Sequence, residues 1–345
     1  MTPSPKSSTV TPLKANVFQK LNLRSLAKGK IHHFYIHLTD NGLGLPVFLP
    51  VIVARGIYDG PTLGFTAGVH GNELNGIKVI HKLIQELEEE ILELHGTIIA
   101  VPMVNPIGAL SNQRTFNNGE DLNRIMPGKA RGNSSAQFVH RFIKEVIKKM
   151  DYLVDLHTAS FGRVNSLYVR VDLEDQKASK MAQLQHPQII VHNKSRDGSL
   201  RGAAEKLGIP SITVEVGDPQ RFQNKLIRES LVGIHNIIGY LKMLPWVESH
   251  IEKEPVICSQ SYWTYTDRGG LLEIFPHVTD FVKKGQVIAK LVDLFGNLIC
   301  EYKAPQNGVV VGKSVNPISQ TGARILHLGI PKEKPAQLAK PISYR

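Results

Sequence analysis

A chain of 345 residues leaves room for two or three domains, and 42% hydrophobic with 21% charged residues is the composition of a folded globular protein, so global disorder is excluded. No apolar run of roughly 18 residues suggests a transmembrane helix, and the polar N-terminal stretch lacks the apolar core of a secretory leader. The net charge of +11 lies mostly at the ends, with +6 in residues 1–30 and +3 in residues 331–345, and the nearly neutral remainder argues against a nucleic-acid or membrane partner.

Residues 1–30 read as a basic, flexible segment, followed by a main domain over 31–250. His32, His33 and His37 in IHHFYIH alternate as on an early strand and are read as ordinary strand residues. PTLGFTAG (61–68) reads as a buried strand. Residues 74–94 read as a helix, because Leu74, Ile77, Ile80, Ile84, Leu87 and Ile91 recur at three- and four-residue steps. TIIAVPMVN (97–105) is a further strand, and the polar stretch 105–128 that follows is expected to be a long structureless loop. An amphipathic helix (134–150), a strand (151–157), a strand (211–217) and a long helix (222–244) complete the pattern. Strands alternating with helices predict a mostly parallel sheet covered on both faces.

Residues 249–255 read as a linker. Beyond it, short Val, Ile and Leu runs divided by Gly and Pro predict a small all-β domain over 256–330, with a basic tail over 331–345. Residues 278–291 align with 315–328 at an offset of 37, including Val278 with Val315, Gly285 with Gly322 and Leu291 with Leu328. Two such units predict a pseudo-twofold, barrel-sandwich-like arrangement. Tyr262, Tyr265 and Arg268 are assigned core or surface roles there. The stretch before Lys303 lacks the Met-Lys pattern of a carrier domain, so covalent cofactor attachment is not expected.

The chemistry clusters at strand ends. In GVHGNELNG (68–76), His70 and Glu73 stand three residues apart between a predicted strand and a predicted helix, a spacing that lets both reach one ion. In VDLHTAS (154–160), His157 ends an apolar strand and can supply a third ligand. Two His and one Glu form a known catalytic zinc set. Asp155 points to the same strand face as His157 and can orient a ligand from behind. In TVEVG (213–217), Glu215 is a carboxylate inside an apolar run, costly unless paired or functional, and is read as a general base. Asn105 also falls at a strand end. Within 105–128, Arg114, Asn123 and Arg124 can hold carboxylates, and Asp121 can orient one of these arginines. Cys258 and Cys300 offer neither a disulfide framework nor a thiolate metal cluster, and a reducing cytoplasm is the simplest compartment.

With GVHGNELNG, NP, the later Arg and DLNR, DLH and VEVG in order over about 60–245, the chain resembles the succinylglutamate desuccinylase/aspartoacylase family, its bacterial predicted-deacylase subgroup in particular. The resemblance implies a zinc-carboxypeptidase-like mixed, mostly parallel α/β sheet flanked by helices with the β domain appended. It implies one Zn2+ per chain on His70, Glu73 and His157, Glu215 as general base on a metal-activated water, Arg114 polarising the scissile carbonyl, and Asn123 and Arg124 binding a substrate carboxylate. The implied activity is hydrolysis of the amide of a small N-acyl amino acid. A metallocarboxypeptidase acting on peptides and a non-catalytic metal-binding scaffold stay open as alternatives, as does a homo-oligomer. One departure stands out: where aspartoacylase has an arginine shortly before its base, this chain has Glu205. Arg201 and Arg163 are the candidates to replace it, and no dedicated site for a substrate side-chain carboxylate is expected.

Overall fold

The computed structural model describes residues 16–195, 197–245 and 254–332. The expected linker falls mostly outside the described residues, as do the first half of the N-terminal segment and nearly all of the C-terminal tail. In chain order, β1 (Asn16–Phe18), β2 (Lys30–Asp40), β3 (Pro46–Arg55) and β4 (Tyr58–Ala67) lead into α1 (Asn75–Glu90). Then come β5 (His95–Val101), α2 (Pro106–Leu110), α3 (Ser134–Glu145), β6 (Tyr152–His157), β7 (Arg163–Asn165), β8 (Leu167–Val171), α4 (Gln176–Leu184), β9 (Ile189–His192), α5 (Leu200–Glu205), β10 (Ser211–Val216) and α6 (Asn224–Tyr240). The C-terminal strands are β11 (Val256–Tyr265), β12 (Gly270–Ile274), β13 (Phe281–Val282), β14 (Val287–Val292), β15 (Leu298–Lys303), β16 (Gly308–Ser314), β17 (Ile318–Ser319) and β18 (Arg324–Pro331).

Fourteen strands form one mixed sheet in the order β1-β2-β3-β5-β4-β6-β10-β8-β9-β11-β18-β16-β13, with β7 joined to β16. Its centre, β5-β4-β6-β10, is parallel, as helical crossovers require. Its flanks are antiparallel where connections are short. The Asn41 side chain, for example, accepts the backbone N–H groups of Leu43 and Leu45 and closes the β2–β3 hairpin. The N-terminal segment departs from expectation: from Asn16 it is folded, β1 pairing with β2 and Leu21 buried in the core.

Strand alternation sorts the core into two faces. Phe65, Val154, Leu156, Ile212 and Val214 pack under α1, α4 and α6 through Ile80, Leu83, Met181, Ile234 and Ile237. Val53, Ile99, Val101 and Leu153 pack under α3 and α5 through Phe138, Phe142, Leu200 and Ala203. Each such side chain, fully buried, contributes about 1.5–3 kcal/mol. Thr66, Asp155, His157, Thr213 and Glu215 alternate with the first set and therefore lie on the second face.

The C-terminal strands do not stand apart. β11 extends the main sheet by pairing in parallel with β9, and β16 pairs with β7. The internal repeat is visible in the pairing. β12 with β14 and β16 with β18 are equivalent pairs, and each short strand crosses to the other copy, β17 onto β12 and β13 onto β16. Gly285 and Gly322 occupy equivalent turns at φ 82° and 80°.

Candidate active site

β4, β6 and β10 run parallel, so their carboxyl ends meet at one edge of the sheet, where ligands bind in open α/β sheets. The chain leaves β4 through Gly68 at φ 62° and turns sharply, with the Glu73 N–H donating to the His70 carbonyl at 3.1 Å. His70 and Glu73 thus sit in a tight turn before α1 rather than in its first helical turn. Gly71 lets this turn press against the next loop: a Cβ there would lie 2.1 Å from the Gly108 carbonyl carbon. That loop is not structureless. It opens with α2, capped by Asn105, whose Oδ1 accepts from the Gly108 N–H at 2.8 Å and whose Nδ2 donates to the Thr115 carbonyl at 3.2 Å. Asn105 is therefore committed to the loop.

His70, Glu73 and His157 converge, each with a possible ligand atom within 4.8 Å of the others, and all three are buried. His70 Nδ1 lies 2.8 Å from Glu73 Oε1, His157 Nδ1 lies 2.9 Å from Glu73 Oε2, and the two Nδ1 atoms are 3.2 Å apart. Behind them, His157 Nε2 lies 2.8 Å from Asp155 and His70 Nε2 lies 3.1 Å from Asp121. An ionised carboxylate only accepts, so Nε2 of each imidazole donates to the carboxylate behind it, and Nδ1, which faces Glu73, is the atom that would be free to ligate once a metal displaces its proton. Two Nδ1 atoms and a carboxylate that meet at one point need positive charge among them, from protons or from a metal ion, and this donor set fits a divalent metal. The electrostatics agree. Burial acts to lower the pKa of His157, yet Asp155 and Glu73 outweigh it and hold the pKa well above the ordinary imidazole value. The cluster therefore favours a positive charge at its centre. Asp121 is held below the usual carboxylate range: burial opposes its charge, but His70 and Arg114 outweigh burial.

Glu73 is further fixed by the Thr158 N–H at 3.1 Å, the Ser160 hydroxyl at 2.8 Å and Arg114 at 3.2 Å. Arg114 also donates to Ser160 and, at 3.0–3.1 Å, to Asp121. Asp121 thus serves His70 and Arg114 together, and makes a long 3.4 Å contact with Arg124. The Asn123 Oδ1 accepts the Leu200 N–H at 2.7 Å, which leaves its Nδ2 unpaired among the described residues, and the Arg124 side chain is 65% exposed. Both can receive an outside carboxylate.

Glu215 is the β10 register partner of His157, so the two side chains emerge side by side. It is buried but not alone: Arg170 on β8 lies 3.2 Å from Oε1, and the Asn165 Nδ2 donates to Oε2 at 3.1 Å. The sequence reading missed Arg170, Asn165, Thr158 and Ser160. Arg170 carries the signal used for Glu215, a charge within an apolar run, here Leu167–Val171. Of the candidates to replace the arginine absent at Glu205, Arg201 is committed elsewhere, to Glu205 at 3.2 Å and to the Asn193 carbonyl at 2.7 Å. Arg163 carries its guanidinium over the Trp263 ring, 6.0 Å from the centroid. Tyr262 packs in the C-terminal core, and Tyr265 and Arg268 are exposed. His32 and His37 bond Ala27 and Asp40 separately and do not converge. Among the described residues no helix is long and apolar enough to cross a membrane.

Comparison with known proteins places this geometry. Residues 59–241 match the succinylglutamate desuccinylase/aspartoacylase catalytic domain. The chain is 27% identical over 304 residues to the N-alpha-acetyl-L-2,4-diaminobutyric acid deacetylase of Halomonas elongata, covering 82% of this chain and 86% of that protein. It is 25% identical over 186 residues to the succinylglutamate desuccinylase of Photorhabdus laumondii, covering 48% of this chain and 56% of that protein. The product-bound ectoine utilization protein EutE (DoeB) from Ruegeria pomeroyi shares the fold, with a TM-score of 0.78 at 19% identity over 87% of this chain and 95% of that one. The catalytic-domain match spans more than half of the sequence, and the chain belongs to the succinylglutamate desuccinylase/aspartoacylase family.

Proposed function

We propose that the protein is a cytoplasmic zinc-dependent deacylase that hydrolyses the linear amide of a small N-acyl amino acid. One observation carries this reading: two imidazole Nδ1 atoms and a carboxylate converge, tied from behind by Asp121 and Asp155, beside a further carboxylate, Glu215. The family membership and the related deacetylase support amide hydrolysis.

His70, Glu73 and His157 would hold one Zn2+, which supplies Lewis acidity that makes water nucleophilic near neutral pH. Asp155 and Asp121 keep the two imidazoles in the ligating tautomer. Glu215 takes the proton of the attacking water and passes it to the leaving amine, while Arg170 and Asn165 fix its carboxylate in place. Arg114 donates to the carbonyl oxygen as that oxygen gains charge, a contact worth about 3–4 kcal/mol in comparable sites. The Asn123 Nδ2 and Arg124 hold the amino-acid carboxylate, so that binding fixes the amide in reach. The products are a carboxylic acid and a free amino acid.

The test is amine release from a panel of N-acetyl, N-formyl and N-succinyl amino acids by zinc-loaded protein. Glu215→Gln is expected to lower kcat about 10²- to 10⁴-fold while zinc content stays at one per chain. No release across the panel by the parent protein, or full activity in the variant, overturns the reading.

A further inference from the structure

The C-terminal strands carry an apolar knob that no described residue covers. The β14–β15 hairpin ends in Leu294 and Phe295, 88% and 90% exposed, with Leu298 beside them at 61%. A single exposed apolar side chain is ordinary, but three together at one tip mark a contact surface. The tip holds its shape without their help. The Asp293 carboxylate accepts the Phe295 and Asn297 N–H groups, each at 2.8 Å, and the Asn297 side-chain amide at 3.0 Å. Gly296 takes the turn at φ 85°. The bonds from the Asn297 side chain and backbone hold the Asp293 carboxyl below its usual pKa, so it stays ionised. Between Leu291 and Ile299 it is the sole charged residue. The tip is thus a pre-ordered, apolar, acidic knob, and docking it costs little conformational freedom.

A groove of about 410 Å³ opens between α3 and α5, within the range of about 300–1,000 Å³ that encloses a compact apolar group. Its floor is apolar, from Ile143, Ala203 and Leu207, the last 40% exposed. Lys144, Lys148 and Lys206 stand around it, and no acidic side chain lines it. Lys206 meets Asp197 at 2.5 Å and Lys144 lies 3.9 Å from Glu145, whereas Lys148 has no ion pair among the described residues. These residues sit where α3 and α5 end and the chain turns toward the amino ends of β6 and β10. The groove therefore lies toward the sheet edge opposite the His70 cluster and is no part of the cleft. Knob and groove match in polarity and are opposite in charge. A lipid surface matches the tip poorly, since the tip offers it an acid and no base. We propose that the Leu294–Phe295 tip of one copy seats in the α3–α5 groove of a second copy, with the Asp293 carboxylate facing Lys148. The contact joins unlike patches. It closes by exchange across a twofold axis, each copy giving and receiving one tip, or as a ring. It goes beyond the deacylase reading and does not depend on it.

The test is molar mass by light scattering and sedimentation equilibrium, from micromolar to submillimolar protein, on the parent, the tip variant Phe295→Ser and the groove variants Leu207→Glu and Lys148→Glu. All three positions are exposed, so circular dichroism and melting temperature are expected to match the parent. The parent self-associates. Phe295→Ser and Leu207→Glu each weaken association by about 30-fold or more, the loss of an anchor in its pocket. Lys148→Glu also weakens it, and added salt weakens the parent more than it weakens this variant. Mixing shows whether knob and groove meet. Phe295→Ser keeps its groove and Leu207→Glu keeps its tip, so an equimolar mixture associates through the one intact contact more tightly than either variant alone. If Leu207→Glu melts below the parent, Lys148→Glu takes its place in the mixture. A parent that stays monomeric throughout overturns the proposal. So does association untouched by Phe295→Ser or by both groove variants, and so does a mixture that associates no better than its parts.

Discussion

Asp155→Asn tests whether the second carboxylate behind His157 sets the metal site. Asp155 is 1% exposed, lies 2.8 Å from His157 Nε2 and accepts the Thr66 hydroxyl at 2.7 Å, so its charge is enclosed and directed. Asparagine fills the same volume and can still accept from Thr66. It can also turn an N–H toward His157 Nε2, which moves the imidazole proton to Nδ1, into the metal cluster. The cost is one charge-assisted hydrogen bond, about 1.5–3 kcal/mol, and partners behind metal-bound histidines are typically worth about 10- to 100-fold in affinity. Zinc affinity, measured by competition with a chromophoric chelator, is therefore expected to fall by that factor while far-ultraviolet circular dichroism stays unchanged. A folded variant that binds zinc as tightly as the parent refutes the tautomer reasoning, and with it the claim that the Nδ1 atoms define the site.

Two further outcomes follow from the packing and the electrostatics. Gly71→Ala puts a Cβ 2.1 Å from the Gly108 carbonyl carbon and 2.2 Å from the Ala109 nitrogen, both backbone atoms, so the turn bearing His70 and Glu73 must move. A stability loss of about 1–3 kcal/mol with weakened zinc binding is expected by denaturant titration and chelator competition, and parent-like values in both would show that the close approach does not matter. His327, its pKa pushed from 6.5 to about 3 by burial and the nearby Arg170, Arg324 and Arg163, stays neutral in the fold while the unfolded chain takes up a proton. Its contribution to stability is complete above pH 6.5 and declines as the pH falls toward 3. The slope is at most about 1.4 kcal/mol per pH unit. His327→Gln should flatten that slope in denaturant titrations between neutral and mildly acid pH, and an identical slope in both proteins would remove His327 as its source.

What the sequence revealed and what it hid divide along physical lines. Periodic apolar runs marked β4, α1, β6, β10 and α6, because burial on one stripe or both faces leaves a pattern in the chain itself. The convergence of His70, Glu73 and His157 was legible because it takes place at a strand end and a turn, which local spacing reports. Glu215 was legible as a charge within an apolar run. Its partner Arg170 bears the same mark, but pairing depends on β8 returning antiparallel beside β10, and no local pattern encodes that neighbour. The inner end of the N-terminal segment was misread for a similar reason. Its charges suggested a solvated arm, whereas Leu21 and three backbone pairs to β2 hold it in place. The contact of Arg163 with Trp263 was hidden most deeply, since the two are a hundred residues apart and only the β7–β16 and β11–β18 pairings bring them together.

Those same pairings tie the C-terminal strands to the candidate site. Asn165, which holds one oxygen of Glu215, is the register partner of Gly312 on β16, and a Cβ at Gly312 would lie 2.3 Å from the Asn165 side-chain oxygen. Ser166 bonds the Val311 carbonyl through both its N–H and its hydroxyl, each at 3.0 Å. The strand that fixes the proposed base is thus itself fixed by the C-terminal strands. The stretch that matches the family's catalytic domain, 59–241, contains His70, Glu73, His157 and Glu215. The C-terminal strands thus reach Glu215 through Asn165, while the His70, Glu73 and His157 cluster is built from β4, β6 and the turn before α1.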